Sequence, residues 1–351
     1  MKRVCFGIFL CLGCLMFSSS SYAGPQWDMG DESWMKLSFL GQVHFAHLDN
    51  AAVENDFYLR RGRFILAGQI MDGVKFFVET DNDNAGKYGK SSSTDIQDAF
   101  IDIRIADSSH WVKGGLILLP FSMETFSSAA SLLGLDYNSE TIKFTNHFVW
   151  RDYGVSFHGD FGKKIAYRAG FFDGYDVAGG SKNPDAGLRY TGHVAYSVIG
   201  EVETGWFYTQ DKQAKKGNYL TIGAGVDNQC EATGSEGAAV DSSAWVLDFQ
   251  SGFSLGDTDF GAVDLIVNGA FYEWDNAVFD GTTAFVETGL RVDKAMGTLK
   301  FSKQNPDGLD DTTDVTIGLH YFLKGHNVRG GVEFRTGDSD DMVLAGVQFL
   351  L

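Results

Sequence analysis

Cysteine is almost missing from the body of this chain. Three of the four cysteines, Cys5, Cys11 and Cys14, sit near the N-terminus, and Cys230 stands alone after them. No intramolecular disulfide is available to residues 24–351. Proline is as scarce: Pro25, Pro120, Pro184 and Pro306 are all there are, so long β-ladders meet little interruption. Positive charge is short, with 28 Lys and Arg against 46 Asp and Glu, which argues against nucleic acid as a partner. After residue 23 no apolar run reaches the ~18 residues of a membrane-spanning helix. That excludes one way of crossing a membrane and leaves the other, a closed β-barrel. The eight histidines are scattered. They form no HExxH pair, and no GxSxG is present. The chain is therefore not read as an enzyme, and no cofactor is expected.

The first 23 residues carry a different pattern. Lys2 and Arg3 precede the apolar run VCFGIFLCLGCLMF, and SSSSYAG follows, with Ser21 and Ala23 ahead of a cut before Gly24. This is the pattern of a secretory signal peptide over 1–23. Its removal takes Lys and Arg from 28 to 26 and leaves Asp and Glu at 46, a net charge of about −20.

Beyond the leader the dominant period is two. Leu37, Phe39, Gly41, Val43 and Phe45 alternate with Lys36, Ser38, Leu40, Gln42 and His44. On a strand, such alternation gives one apolar and one largely polar face. The pattern recurs over sixteen segments: 35–47, 57–70, 73–81, 96–105, 111–120, 149–159, 164–173, 187–198, 218–227, 243–255, 261–273, 283–294, 297–304, 312–323, 326–336 and 341–351. A seventeenth, 201–209, also alternates. An even strand count, and the alternation of short and long connections around it, favour reading 199–217 as a long periplasmic connection instead. The expected fold class is all-β, a sixteen-stranded antiparallel transmembrane β-barrel, and a soluble β-sandwich is the alternative. The last strand, VLAGVQFLL, ends on an apolar residue and would be read by the barrel insertion machinery.

The stretch FYLRRGRFILAGQ (57–69) tests that expectation. A barrel gives its two faces different solvents, so Phe64, Leu66 and Ile70 would meet lipid. Arg61 and Arg63 would meet a lumen, and Arg60 would reach the headgroups. Read the same way, the inward faces carry the basic residues Lys36, Arg61, Arg63, Lys75, Arg104, Arg168, Arg189, Arg291, Lys300, Arg329 and Arg335. The acidic set is Glu79, Asp98, Asp102, Asp152, Asp248, Asp264, Glu287, Asp293 and Glu333. The lining is nearly balanced, so the excess negative charge lies in the loops.

FYLRRGRFILAGQI, GGLILLPFSME (114–124), WRDYGVSFHGDF (150–161) and YRAGFFDG (167–174), in this order, resemble the phosphate-selective porin O and P family over residues 55–255. The resemblance implies a trimeric outer-membrane channel in a Gram-negative envelope, beside lipid and lipopolysaccharide. It also implies a third outer loop folded into the lumen. Here that loop would be 121–148, with Phe121, Ser122, Glu124, Asp136, Glu140 and Lys143 as its constriction residues. Arg61, Arg63, Arg168 and Arg189 offer the bidentate geometry that suits phosphate. Yet the balanced lining favours a general diffusion porin for small ions and solutes. An anion-selective channel and a non-conducting structural barrel or adhesin are the alternatives. The NDN and DSDD runs lack the ligand spacing of a defined Ca²⁺ site, so no metal is expected.

Overall fold

The computed structural model describes residues 24–142, 150–174, 187–212, 217–235, 238–276 and 279–351. The leader read over 1–23 and Lys143 lie outside the described residues. Seventeen strands and one short helix follow in order: β1 (Gln26–Asp28), β2 (Trp34–Leu48), β3 (Asn55–Met71), β4 (Val74–Asp81), β5 (Asp95–Arg104), β6 (Trp111–Leu118), α1 (Ser139–Ile142), β7 (Arg151–Phe161), β8 (Ile165–Phe172), β9 (Arg189–Ile199), β10 (Tyr219–Ser235), β11 (Ala238–Thr258), β12 (Gly261–Asn276), β13 (Phe279–Val292), β14 (Ala295–Pro306), β15 (Thr312–His326), β16 (Val328–Gly337) and β17 (Met342–Leu350).

Strands β2 to β17 pair antiparallel with their neighbours in sequence, and β17 returns to pair with β2. The wall is a closed sixteen-stranded barrel. The three residues of β1 continue the seam where β17 ends. Phe39 and Leu351 exchange backbone hydrogen bonds, and Leu37 N–H donates to Pro25 O at 3.0 Å. Gln26 to Asp28 then pair with Lys36 to Trp34. Pro25 has no N–H to give and sits where none is asked of it.

Alternation explains which way each side chain points. On β15, Ile317, Leu319, Tyr321 and Leu323 are 51–66% exposed, whereas His320 is 1% exposed. Large apolar side chains are exposed in the same manner on strands around the barrel, among them Phe64, Val155, Val194, Leu247, Val286 and Phe301. A protein in water rarely shows a continuous apolar girdle of this kind. In hydrocarbon it is the stable arrangement, because a closed ladder also leaves no backbone group unpaired at an edge.

The edges of the elements depart from the sequence reading in two places. β10 and β11 run past the expected 228–242 loop as a tall hairpin, with a bulge between Gln229 and Thr233. As the parity of the strand count required, no strand forms over 201–209. Asp293, expected on an inward face, is an exposed turn residue with φ of 51°.

A charge on the lipid face at mid-strand is costly, by about 2–4 kcal/mol for Arg near the bilayer midplane. Leu319→Arg is expected to destabilise the barrel by that amount, measured by urea titration of protein folded into lipid vesicles.

Candidate pore and its internal loop

β6 ends at Leu118, and Pro120 turns the chain away from the wall. A reciprocal pair fixes the turn: Ser122 N–H donates to Thr125 Oγ1, and Thr125 N–H to Ser122 Oγ, both at 3.0 Å. From there the loop crosses the barrel. Its hydrogen-bond partners come from opposite parts of the wall. Gln42 Nε2 on β2 donates to Ala129 O at 3.0 Å, and Met123 N–H donates to Asp248 Oδ2 on β11 at 2.6 Å. Thr283 Oγ1 on β13 donates to Thr141 O at 2.9 Å. Arg329 on β16 donates to Leu132 O and Gly134 O, each at 2.7 Å. Only a segment inside the closed wall can reach all four. Apolar packing holds it against one side: Phe121, Leu132, Tyr137 and Ile142 cluster with Val246, Tyr272, Trp274 and Phe285.

Arg61 and Arg63 project inward, but each has a carboxylate partner. Arg61 donates to Gln42 Oε1 at 2.7 Å and to Asp136 Oδ1 at 2.8 Å, with its guanidinium 5.2 Å from the Tyr137 ring. Arg63 donates to Glu79 at 2.8 Å and Asp81 at 3.0 Å. Arg60, expected at the headgroups, instead faces inward. Gln42 opposes Arg61 while Val43 opposes Leu59, so Arg60 is the extra residue of a β-bulge. The bulge lets two successive arginines grip Asp136. Burial pushes the Asp136 carboxyl up, but Arg60 and Arg61 outweigh it and hold it well below the usual range.

The other sequence-marked residues are engaged in the same way. Arg168 donates to Glu203 O and Gly205 O at 3.2 and 3.0 Å and lies over the Tyr208 ring. Arg189 pairs with Asp227, and Arg291 with Asp211. Asp98 accepts from Arg151, and Asp102 from His158 and Trp206. Asp152 accepts from the backbone of Tyr153 and Gly174, and Asp248 contacts His193. Glu287 accepts from Asn268 and Asn138. Arg61, Arg63, Arg168, Arg189, Arg291 and Arg329 are all buried. In the loop, Phe121, Ser122 and Glu124 are buried too, and Glu140 falls in α1. Glu124 accepts from the Asn138 N–H at 2.9 Å. Burial first, and Glu287 beside it, raise its pKa to about 8.

Sequence reasoning missed the partner on the other side. Residues 200–212, read as an external connection, fold back into the barrel and meet the loop. Tyr208 N–H donates to Phe126 O at 3.0 Å and Ser128 N–H to Tyr208 O at 2.9 Å. Trp206 and Phe207 pack on Phe77 and Phe100. The signal was present: Trp206, Phe207 and Tyr208 in succession are too apolar for a solvated link. Burial raises Asp211, but His326 and Arg291 outweigh it and hold the carboxyl at about 2.

Between the loop and the wall of β13 to β16 a small cleft remains. It is lined by Leu133, Gly134 and Asp136 of the loop and by Glu287, Thr298, Lys300, Thr316 and Glu333 of the wall. Glu287, Lys300 and Thr316 belong to a longer row. Partners in register are Ser197, Thr221, Gln250, Asn268, Glu287, Lys300, Thr316 and Arg335. Ser197 is near the rim that carries the chain ends, and Arg335 is near the opposite rim. Because barrel strands tilt, a row of register partners climbs the wall. This polar ladder climbs the wall from near one rim to near the other.

A family model for phosphate-selective porin O and P matches residues 41–241. The chain belongs to the phosphate-selective porin O and P family. Among curated proteins, no sequence matches it significantly. Solved structures share the fold at low identity. An anion-selective porin from Comamonas acidovorans is 14% identical with a TM-score of 0.60, covering 91% of this chain and all of that one. The outer membrane channel DcaP of Acinetobacter baumannii is 14% identical with a TM-score of 0.57, covering 94% of this chain and all of that one. A loop-deletion mutant of OmpT, an outer membrane protein of Vibrio cholerae, is 11% identical with a TM-score of 0.57 over 92% of this chain and all of that one. The family and these neighbours support an outer-membrane channel.

Asp136 ties this porin's loop to its wall, and its carboxyl is 27% exposed. Asp136→Asn is expected to cost about 1–3 kcal/mol at neutral pH by leaving Arg60 and Arg61 short of their acceptor. A depressed carboxyl stabilises above its unfolded pKa of about 4, and that stability is lost as pH falls towards its folded value. The gap between wild type and variant should therefore close in acid, measured by denaturant titration between neutral pH and strong acid.

Proposed function

We propose that this protein is an outer-membrane porin with a narrow, water-lined path for small ions and hydrophilic solutes. The path runs along the β13–β16 wall and weakly prefers cations. The observation that carries the reading is the cleft itself. Lys300 stands in it beside Glu287 and Glu333, while Asp136 is already held by Arg60 and Arg61, so carboxylates still outnumber the ammonium. Rings of charged side chains set the sign of selectivity in pores. The loop rim adds to the bias, with Asp49, Asp307, Asp310, Asp338, Asp340 and Asp341 all exposed there. A mouth of one sign concentrates counter-ions.

Phosphate selectivity, which the family name carries, has less support. An anion ladder needs guanidinium groups presented to solute. Here Arg61, Arg63, Arg189 and Arg291 hold carboxylates, while Arg168 and Arg329 hold backbone carbonyls. A trimer, a place beside lipopolysaccharide and a periplasmic side at the rim of the chain ends belong to the same reading.

Single-channel recording in planar bilayers under a KCl gradient tests it. Small steps with a reversal potential on the cation side, and no block by phosphate, are expected. Lys300→Glu should move the potential further in the same direction. Anion-selective steps blocked by phosphate would overturn the proposed selectivity.

A further inference from the structure

Residues 200–212 leave β9 at the rim of the chain ends and then turn back into the barrel. We propose that this segment is a gate, hinged on glycine and latched by Asp211, which closes the lower half of the polar ladder. The proposal rests on the channel reading above.

Three observations carry it. The first is the character of the segment. It forms no helix or strand, and its one β-bridge is Ser127 with Tyr208. Gly200 at its start has φ of 81°. That left-handed region suits glycine, which allows the chain to reverse direction there.

The second is its position. Asn268 of the ladder donates through Nδ2 to Gln210 O at 3.3 Å, and the Lys212 ammonium lies 5.1 Å from the Tyr219 ring. The segment therefore crosses the ladder on β10 to β12. Two ladder residues in that stretch, Thr221 and Gln250, bury oxygens with no hydrogen-bond partner within the protein. Such a lining suits water better than it suits a permanent plug, which would satisfy it.

The third is how the segment is held. Asp211 pairs with Arg291 and lies 3.0 Å from His326 Nε2. Arg168 grips the carbonyls of Glu203 and Gly205, and Trp206 Nε1 donates to Asp102 at 3.0 Å. Water can replace each of these polar contacts when the segment swings out. The aromatic contacts of Trp206 and Phe207 cannot be replaced so, and they make the closed state the favoured one. Two states separated by such an exchange of partners form a population that a single latch residue can shift.

Asp211→Ala removes the latch and leaves Arg291 without its carboxylate. A locked form comes from Ser127→Cys with Tyr208→Cys in a Cys230→Ser background, since bridge partners are close enough for a disulfide. Single-channel recording of both, with folding checked by resistance to SDS, gives the test. We expect Asp211→Ala to show several-fold larger or longer openings than wild type. The oxidised double-cysteine protein should stay at the lowest level and gain openings on reduction, and this decides the matter even where Asp211→Ala does not fold. Wild-type steps unchanged by Asp211→Ala and by oxidation would overturn the gate and leave the channel standing. No steps from any folded form would overturn both.

Discussion

Closure of the backbone ladder is the constraint on which everything else depends. A strand in hydrocarbon has no water to satisfy an open edge, so the sixteen strands must return on themselves, as β17 does on β2. Closure turns the period of two into a division of space. One set of side chains is given to lipid and the other to an interior that nothing in the bilayer can reach. Charge then becomes possible inside a membrane protein, because partners can be brought to it.

The interior uses that freedom in a definite way. Many charged groups of the wall are not left facing one another across water. They are joined in pairs, and many pairs bind a segment that is not wall at all. Arg60 and Arg61 bind Asp136, Arg329 binds the carbonyls of Leu132 and Gly134, and Arg291 binds Asp211. Removing one member of a buried pair costs more than the pair contributes, since the other is left uncompensated. Such pairs therefore specify where a loop lies more than they add net stability. The bulge at Arg60 serves the same end, for without it the alternation would send that side chain to the lipid.

This accounts for what the sequence could and could not disclose. The strands were legible because lipid and lumen enforce alternation residue by residue, and all sixteen segments read from it are barrel strands. The inward direction of Arg61 and Arg63 followed from the same period. The bulge did not, because a single extra residue leaves no mark on composition. Nor did the partners: Asp136 is distant in sequence from Arg61, and periodicity carries no information about a loop that crosses a lumen. The 200–212 segment was misread for a related reason. Its alternation was noticed and set aside on strand parity, which correctly excluded a strand, but an excluded strand is not thereby a solvated turn.

An arginine in a pore can act on a solute or on the pore. Acting on a solute, it must keep its N–H groups towards water, and its charge then sets selectivity. Acting on the pore, it spends the same groups on carboxylates and carbonyls, and it sets bore by fixing what fills the lumen. Arg61, Arg63, Arg168, Arg189, Arg291 and Arg329 are engaged in the second way. Their removal would change how wide the path is before it changed which ions pass. In the cleft Lys300 stands beside Glu287, Glu333 and Asp136, the last already held by Arg60 and Arg61. So many charges in this barrel are committed to holding its interior in place that the arginines of its wall act first as structural ties.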